Sequence, residues 1–261
     1  MAILERDDSG GIAHLRMNMP ERMNTLSDEM IAALQAQFDA LAGDASIRAV
    51  ILSSNAKVFC PGHDLKQMTA ARTAEDGGRA YFADLFDRCS RMMLSIRALP
   101  QPVIAQVHGI ATAAGCQLVA SCDLAVAADD TRFGVNGVNI GLFCSTPMVA
   151  LSRNIPRKQA FEMLTTGEFI DAPRAAELGL INRAVPGDRL AAETRAMAEK
   201  LAEKLQTAVR IGKRAFYDQL EMPLDAAYAY TAEVIVENMM QPDTAEGISA
   251  FIEKRPPDWS Q

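Results

Sequence analysis

Residues 103–117 read VIAQVHGIATAAGCQ and combine a buried strand with the start of a helix. The first five residues are mostly apolar, which favours a strand covered on both faces. Small residues follow, and a helix is predicted to begin near Gly115 without a long loop between them. A strand that passes so directly into a helix is typical of α/β proteins with parallel strands.

The same alternation extends on both sides of this stretch. Apolar patterns predict strands at residues 12–17, 48–53 and 124–127, and helices at residues 27–42 and 79–99. The first helix has an N-cap serine and ends at a glycine, and the second stops before a proline. The sequence therefore predicts an α/β fold.

The pattern changes after residue 187. Four helices are predicted there without a strand between them, at residues 188–204, 207–220, 224–238 and 244–254. Such a segment cannot extend a sheet, so it must pack on the α/β body or on another subunit. We therefore predict an α/β core over residues 1–187 and a helical C-terminal region over residues 188–261.

Composition and charge exclude several classes of function. The 261 residues are 49% hydrophobic with a net charge of −7 and a pI of about 5.1, which suits a globular protein and argues against nucleic-acid binding. No apolar run approaches the roughly 20 residues of a membrane helix, so no membrane partner is expected. Five cysteines and three scattered histidines show no metal-ligand spacing. With no secretion signal at the start, this pattern predicts reduced thiols in a cytoplasmic protein.

Residues 58–66, VFCPGHDLK, form the first segment that could carry chemistry. Proline and glycine fix an unusual turn after a strand, and such a turn can direct backbone N–H groups outward. Outward N–H groups are the material of an oxyanion hole. The alternative is an ordinary strand-to-helix loop in which Asp64 caps the helix.

Two further segments follow. In residues 108–117, small side chains and a helix start would offer free N–H groups to a ligand, although close packing of the helix on a strand would need the same residues. Residues 133–144, FGVNGVNIGLFC, are rich in glycine, with no phosphate-binding lysine and no nucleophile–base pair.

In this order and spacing, the three segments resemble those of the crotonase (enoyl-CoA hydratase/isomerase) family. Shorter matches extend the resemblance over nearly the whole chain, including NMP at 18–20, CDLA at 122–125, AAELGL at 175–180 and EGISAF at 246–251. The family fold is a spiral of ββα units followed by a helical region used for trimer formation. The resemblance thus implies a homotrimer or a dimer of trimers.

The resemblance also implies a chemistry based on acyl-CoA thioesters. Two backbone amides polarise the thioester carbonyl, and by motif position these are the amides of His63 and Ala114. The two hydratase glutamates of the family correspond to Gln117 and Gly137, neither of which can exchange a proton. Efficient hydration is therefore not expected, and restoring both carboxylates should create more activity than restoring one, unless Gly137 has a positive φ that glutamate resists.

Two side chains have open roles within this resemblance. Cys144 stands where other branches of the family carry an aspartate, and it is either a base or nucleophile or a small buried cysteine. The His63 ring could titrate near neutrality, or the residue could contribute its amide alone. Asp64 and Asp123 are interpreted as structural carboxylates bonded to the backbone.

Coenzyme A would enter as part of the substrate, and no other cofactor or metal is implied. Residues suggested to contact it are Arg22, Met23, Cys60, Gly62, Asp64, Leu65, Lys66, Phe251 and Lys254. The last two could reach the ligand of a neighbouring subunit. The sequence thus predicts an acyl-CoA-binding protein, and the resemblance implies a lyase of the hydratase/isomerase type. The alternatives are a non-catalytic binder or regulator, or a decarboxylase or other lyase that uses the oxyanion hole alone.

Overall fold

The computed structural model describes residues 2–259. Within them, the strands are β1 (Leu4–Ser9), β2 (Ile12–Met17), β3 (Ala49–Ser54), β4 (Val103–Val107), β5 (Ile110–Thr112), β6 (Leu124–Ala128), β7 (Arg132–Gly134), β8 (Ile170–Asp171) and β9 (Arg183–Val185). Six form one sheet in the order β1-β2-β3-β4-β6-β9, and β5-β7-β8 form a smaller second sheet. Every pairing in the larger sheet is parallel except β1 with β2.

Helices follow most strands. They are α1 (Asp28–Ala42), α2 (Leu65–Ala71), α3 (Arg79–Ala98), α4 (Ala114–Ser121), α5 (Pro147–Asn154), α6 (Arg157–Thr166), α7 (Ala172–Leu178), α8 (Leu190–Ala202), α9 (Gln206–Gln219), α10 (Leu224–Met239) and α11 (Pro242–Glu253). Short 3₁₀ turns occur at Pro20–Arg22, Asn136–Ile140 and Gly187–Arg189. No helix in the described part of the chain is long and apolar enough to cross a bilayer.

Both faces of the larger sheet are buried. Successive side chains of a strand point to opposite faces, so one strand contributes to two separate cores. In β3, Val50 and Leu52 face the main core beneath α1, α3 and α4, whereas Ile51 faces a second core beneath α8. In β4, Ala105 and Ile104 are divided in the same way. The apolar runs of β3 and β4 are thus explained by a sheet held between two helical layers.

Helix α1 shows how the sequence determines local structure. Ser27 accepts a hydrogen bond from the Met30 amide at 3.2 Å, which satisfies one of the free N–H groups at the helix start. Leu34, Phe38 and Leu41 lie on the buried face at the expected spacing of three or four residues. The predicted cap, buried face and end of this helix are all confirmed.

Strand β1 was not predicted from the sequence. It reads LERDDS and pairs antiparallel with β2 at the edge of the sheet, where charged side chains can remain in water. The predicted strands and helices elsewhere match within two residues at their ends. Strands β5, β7, β8 and β9 contain two or three residues each, too few to show a period.

The helical C-terminal region begins with a helix that packs on the α/β core. Helix α8 covers the second face of the sheet, where Leu190 and Ala198 pack on Ile12 and Val126. Helices α9 to α11 continue from it. The last described strand ends at Val185, and the proposed division at residue 187 stays a prediction.

Helix α9 is fixed to the core by a buried ion pair. Lys213 Nζ lies 2.7 Å from Asp123 Oδ2 and donates to the carbonyl oxygens of Ile96 and Gln101, each at 2.9 Å. Tyr217, one turn later, donates its hydroxyl to Asp123 Oδ1 at 2.7 Å. These bonds connect α9 with the end of α3 and with the start of β6.

Candidate functional site

The segment at residues 58–64 attaches to strand β5. The Cys60 amide donates to the Ile110 carbonyl at 3.1 Å, and the Cys60 carbonyl accepts from the Thr112 amide at 3.0 Å. Gly115 then passes so close that a Cβ atom there would lie 2.0 Å from the Cys60 carbonyl oxygen. Any other residue at position 115 would push α4 away from Cys60. The close packing considered from the sequence is thus present, and it brings two candidate segments together.

This contact places the two proposed amide donors on adjacent segments. A Cβ atom at Gly62 would be 3.3 Å from the Ala114 nitrogen, and His63 follows Gly62 directly. Within residues 2–259, neither the His63 amide nor the Ala114 amide has a hydrogen-bond acceptor. Ala114 begins α4, where the first N–H groups of a helix are unpaired. The arrangement suits a carbonyl oxygen that accepts from both amides.

Ala113 is held in a strained conformation just before this helix. Its φ of 51° and ψ of −121° lie in a region that costs a side-chain-bearing residue about 1–3 kcal/mol. Its amide donates to the Gly134 carbonyl and its own carbonyl accepts from the Gln117 amide, each at 3.0 Å. These two bonds hold the turn that aims the Ala114 amide.

Asp64 organises the loop on the other side of His63. It caps α2 by accepting from the Lys66 and Gln67 amides at 2.9 and 3.2 Å, and it pairs with the Arg22 guanidinium. Burial alone would raise the pKa of Asp64, but the bonds from Arg22 and the two amides outweigh burial and lower the pKa. Asp64 therefore makes the contacts of a structural carboxylate.

Several suggested coenzyme A contacts lie around Asp64. Arg22 is half-buried and forms an ion pair with Asp64. Met23, Leu65 and Lys66 are exposed. Cys60 and Gly62 are buried. A ligand could therefore reach one cationic side chain, Lys66, without breaking an existing ion pair.

Gly137, predicted from the resemblance to stand at the second hydratase carboxylate position, is closely packed against the chain itself. A Cβ atom at Gly137 would lie 2.3 Å from the Leu142 carbonyl oxygen and 2.9 Å from Cys144 Sγ. The Leu142 amide also donates to the Gly137 carbonyl at 2.9 Å, which closes the loop. Gly137 does not have a positive φ, so the obstacle to a side chain here is this contact rather than the backbone conformation considered from the sequence.

Gln117 and Cys144 are both buried. Gln117 Oε1 has no hydrogen-bond partner within residues 2–259. Burial raises the pKa of the Cys144 thiol, against a smaller opposite effect of the Gly137 amide. A neutral thiol is a poor nucleophile, which favours the interpretation of Cys144 as a packed side chain.

The His63 ring lies between the segment that precedes α1 and helix α3. Its Nδ1 lies 3.4 Å from the Leu26 carbonyl oxygen, and the ring meets the edge of Phe86 at 5.5 Å between centroids. Burial lowers the pKa of His63 and so favours the neutral ring. The sequence does not predict Phe86 as a neighbour of His63, because only the packing of α3 brings the two residues together.

The tail residues suggested for coenzyme A lie apart from these segments. Phe251 and Lys254, at the end of α11, are exposed and make no hydrogen bond or ion pair with the loops at 58–66 or 113–117 in the described part of the chain. The following residues fold back on α11: Arg255 pairs with Glu246 at 2.6 Å, and the Trp259 ring lies over Gly247.

Two open grooves elsewhere on the molecule contain none of the candidate residues. One open groove of about 690 Å³ lies between α1 and α3, and another of about 730 Å³ lies on the outer side of α6. Among residues 2–259, no group of three or more His, Cys, Asp or Glu side chains is placed to hold a metal ion.

Comparisons with known proteins agree with this architecture. The family model for enoyl-CoA hydratase/isomerase matches residues 7–261. The mitochondrial enoyl-CoA hydratase domain-containing protein 3 of Xenopus laevis is 46% identical over 250 residues, which cover 96% of this chain and 83% of the frog protein. The human protein of that name is also 46% identical, over 96% of this chain and 81% of its own length.

Solved structures confirm the fold. The crystal structure of an enoyl-CoA hydratase from Mycobacterium smegmatis has a TM-score of 0.95 and 52% identity, with full coverage of both chains. That of human enoyl-CoA hydratase domain-containing protein 3 has a TM-score of 0.94 and 45% identity, covering 99% of this chain and 100% of the other. The predicted crotonase-type fold with its helical C-terminal region is therefore confirmed.

One prediction is corrected by these relatives. The predicted cytoplasmic location is contradicted, because the vertebrate relatives at 46% identity are mitochondrial proteins by name. The inference rested on reduced cysteines and on the first residues of the chain, and reduced thiols do not distinguish one reducing compartment from another.

The family model and the relatives match this chain over nearly all of its length. These matches show that the chain belongs to the enoyl-CoA hydratase/isomerase, or crotonase, family.

Proposed function

We propose that this chain binds an acyl-CoA thioester and polarises its carbonyl through the amides of His63 and Ala114. The observation that carries the proposal is the pair of unpaired amides on segments in direct contact at Gly62 and Gly115. Amides fixed in a buried turn stabilise the negative charge that develops on an enolate oxygen, since they need no reorganisation. Coenzyme A enters as part of this ligand.

The same site is poorly equipped for hydration. Addition of water to an enoyl thioester requires one group to remove a proton from water and another to deliver a proton to the α-carbon. Gln117 cannot titrate, and the space beside Gly137 is filled by Leu142 and Cys144. The filled position favours the second candidate, a non-catalytic acyl-CoA binder, over an efficient hydratase.

Isothermal titration calorimetry with acetoacetyl-CoA tests binding. We expect saturable heat with the thioester and far weaker heat with free acetoacetate. Gly62→Ala should weaken binding, because its Cβ would press on Ala113 at 3.1 Å and on the Ala114 amide. Gly43→Ala is the matched control, since a Cβ there meets no atom within 4 Å. No heat with any thioester at millimolar concentration would refute the proposal.

We further propose that the protein assembles as a homotrimer, alone or paired into a dimer of trimers. Helix α10 exposes Tyr228, Ile235 and Met239 along one side, at 72%, 57% and 52% exposure. An apolar stripe of this kind is typical of a helix that packs on a partner. Light scattering should give three or six times the mass of 28.3 kDa, and a stable monomer at micromolar concentration would contradict the assembly.

A further inference from the structure

The segment before α1 contains two consecutive residues in the left-handed conformation. Met23 and Asn24 have φ angles of 53° and 54°, which residues with a side chain adopt uncommonly. Ala113, beside the proposed donor Ala114, is one of two other non-glycine residues with positive φ in the described part of the chain. Strained backbone persists where surrounding bonds fix it, and it is concentrated at functional sites. Residues 24–26 are therefore a candidate for a role in the site.

The side chain of Asn24 is buried and fixes this conformation. Its Oδ1 accepts from the Met19 amide at 2.5 Å, and its Nδ2 donates to the Met17 carbonyl at 3.0 Å. Nδ2 also donates to Ser54 Oγ at 2.7 Å, and Ser54 donates in turn to the Val58 carbonyl at 2.7 Å. One carboxamide thus connects the segment with the ends of β2 and β3 and with the first residue of the candidate loop.

The end of this segment contacts the first proposed donor. The Leu26 amide donates to the Gly62 carbonyl at 2.8 Å, and residue 26 forms a parallel bridge with His63. The Gly62 carbonyl and the His63 N–H belong to one planar trans peptide unit, so the two groups point in opposite directions. A carbonyl held toward Leu26 therefore directs the His63 N–H away from residue 26.

The second proposed donor is directed in the same way by a helix. The Ala113 carbonyl accepts from the Gln117 amide at 3.0 Å, so the Ala114 N–H of the same peptide unit points out of the start of α4. His63, in contrast, lies in a loop between β3 and α2 and has no helix to hold its amide. The bond from Leu26 gives the His63 amide the support that α4 gives to Ala114.

We infer that Asn24 is a positioning residue for the His63 amide, acting through the Leu26 amide and the Gly62 carbonyl. The inference rests on the proposed function and deepens it, because it names what holds one of the two donors in place. A donor fixed in advance needs no reorganisation when negative charge forms on the ligand oxygen. Loss of this support should therefore weaken the stabilisation of an enolate more than the binding of coenzyme A itself.

Replacing the Leu26 amide by an ester tests this inference directly. Leucic acid at position 26 keeps the side chain and removes the N–H that donates to Gly62. Bound acetoacetyl-CoA gives the readout, since enolate absorbance measured against pH yields the apparent pKa of the ligand. We expect this ligand pKa to rise by about one unit, a roughly tenfold smaller enolate population at a given pH, as one weakened bond to a charged oxygen predicts. The affinity for free coenzyme A should not change.

Leu180 is the matched control for this ester. Its amide donates to the Ala175 carbonyl at 2.9 Å, and its side chain is also buried, but it lies after α7, outside the candidate segments. The same ester at Leu180 should leave the ligand pKa unchanged. Asn24→Gly is a second variant: it removes the side-chain bonds at a φ that glycine tolerates, and should raise the ligand pKa as the Leu26 ester does. Circular dichroism shows whether each protein is folded.

The outcomes separate this inference from the function on which it rests. A folded Leu26 ester with the ligand pKa of the wild type would overturn the inference, as would equal rises in the Leu26 and Leu180 esters. A folded Asn24→Gly protein with an unchanged ligand pKa would overturn the role of Asn24, and this variant decides alone if the Leu26 ester does not fold. A wild-type protein that fails to lower the pKa of acetoacetyl-CoA below that of the free compound would refute the proposed function itself.

Discussion

The contact at Gly137 gives a direct test of the proposal that this position has no room for a side chain. Replacing Gly137 by alanine adds one Cβ atom, 2.3 Å from the Leu142 carbonyl oxygen, where an ordinary contact is beyond 3.4 Å. The backbone at residues 142–144 must therefore move. Overpacking of this kind costs about 1–3 kcal/mol, and each kcal/mol lowers the melting temperature of a chain of this size by about 2–4 °C.

We therefore expect Gly137→Ala to melt about 2–12 °C below the wild-type protein in thermal unfolding followed by circular dichroism. Gly43→Ala is again the matched control, because it adds the same atom in open space and should leave the melting temperature unchanged or slightly higher. A Gly137→Ala protein that melts with the wild type would show that the loop yields without cost, and would refute the steric argument.

The same contact changes what is expected from restoring catalysis. Gln117→Glu introduces a titratable group on α4 without added volume, so traces of crotonyl-CoA hydration should appear. Adding Gly137→Glu should bring little further gain, because the new side chain must first displace Leu142 and Cys144. A double variant much more active than the single one, measured by loss of enoyl absorbance, would contradict this expectation. Wild-type turnover near the enzyme median of about 10 per second would show that the catalytic residues are misassigned.

Three further outcomes are expected. Lys213→Met leaves Asp123 buried without its cation and should cost about 3–5 kcal/mol in chemical denaturation, partly recovered when Asp123→Asn is added; equal stability of the single variant and the wild type would contradict the role of this pair. The pKa of Asp64 is lowered in the folded state, so ionised Asp64 stabilises the fold above the unfolded pKa of about 3.9, and this stabilisation is lost as pH falls through the folded pKa. The difference in unfolding free energy between the wild type and Asp64→Asn should therefore be constant near neutrality and shrink below about pH 4. A difference that does not depend on pH would exclude this linkage. Ala113→Gly relieves the strained φ of 51° and should not destabilise the protein, whereas Ala120→Gly within α4 should cost about 0.5–1 kcal/mol; equal losses in both variants would show that Ala113 is not strained.

The fold was largely predictable where apolar periodicity extends over five or more residues. Helix α1, strand β3 and the helical tail all follow from spacing that has a direct physical cause. Strand β1 was not predictable, because its charged residues carry no alternating pattern and its pairing depends on β2. The three short strands of the second sheet depend likewise on contacts between distant residues rather than on local sequence.

The residues of the candidate site were named from the sequence and their roles stay predictions, whereas the close contacts around them could not be predicted. The positions of His63, Ala114 and Gln117 follow from motif spacing. The Leu142 carbonyl over Gly137 does not, because a loop's path depends on contacts that no local pattern encodes. The strain at Ala113 was hidden for a similar reason: alanine gives no sign in the sequence of a conformation that usually requires glycine.

The position of Trp259 determines what an optical measurement on this protein would report. It is the chain's one tryptophan, and its indole ring lies over Gly247 in α11, remote in sequence from the sheet. Intrinsic emission excited at the indole band would therefore follow the docking of the last residues onto α11. Far-ultraviolet dichroism would follow the helices and strands of the whole chain. If the tail detaches before the core unfolds, the two signals will give different midpoints, and fluorescence alone would understate the stability of the core.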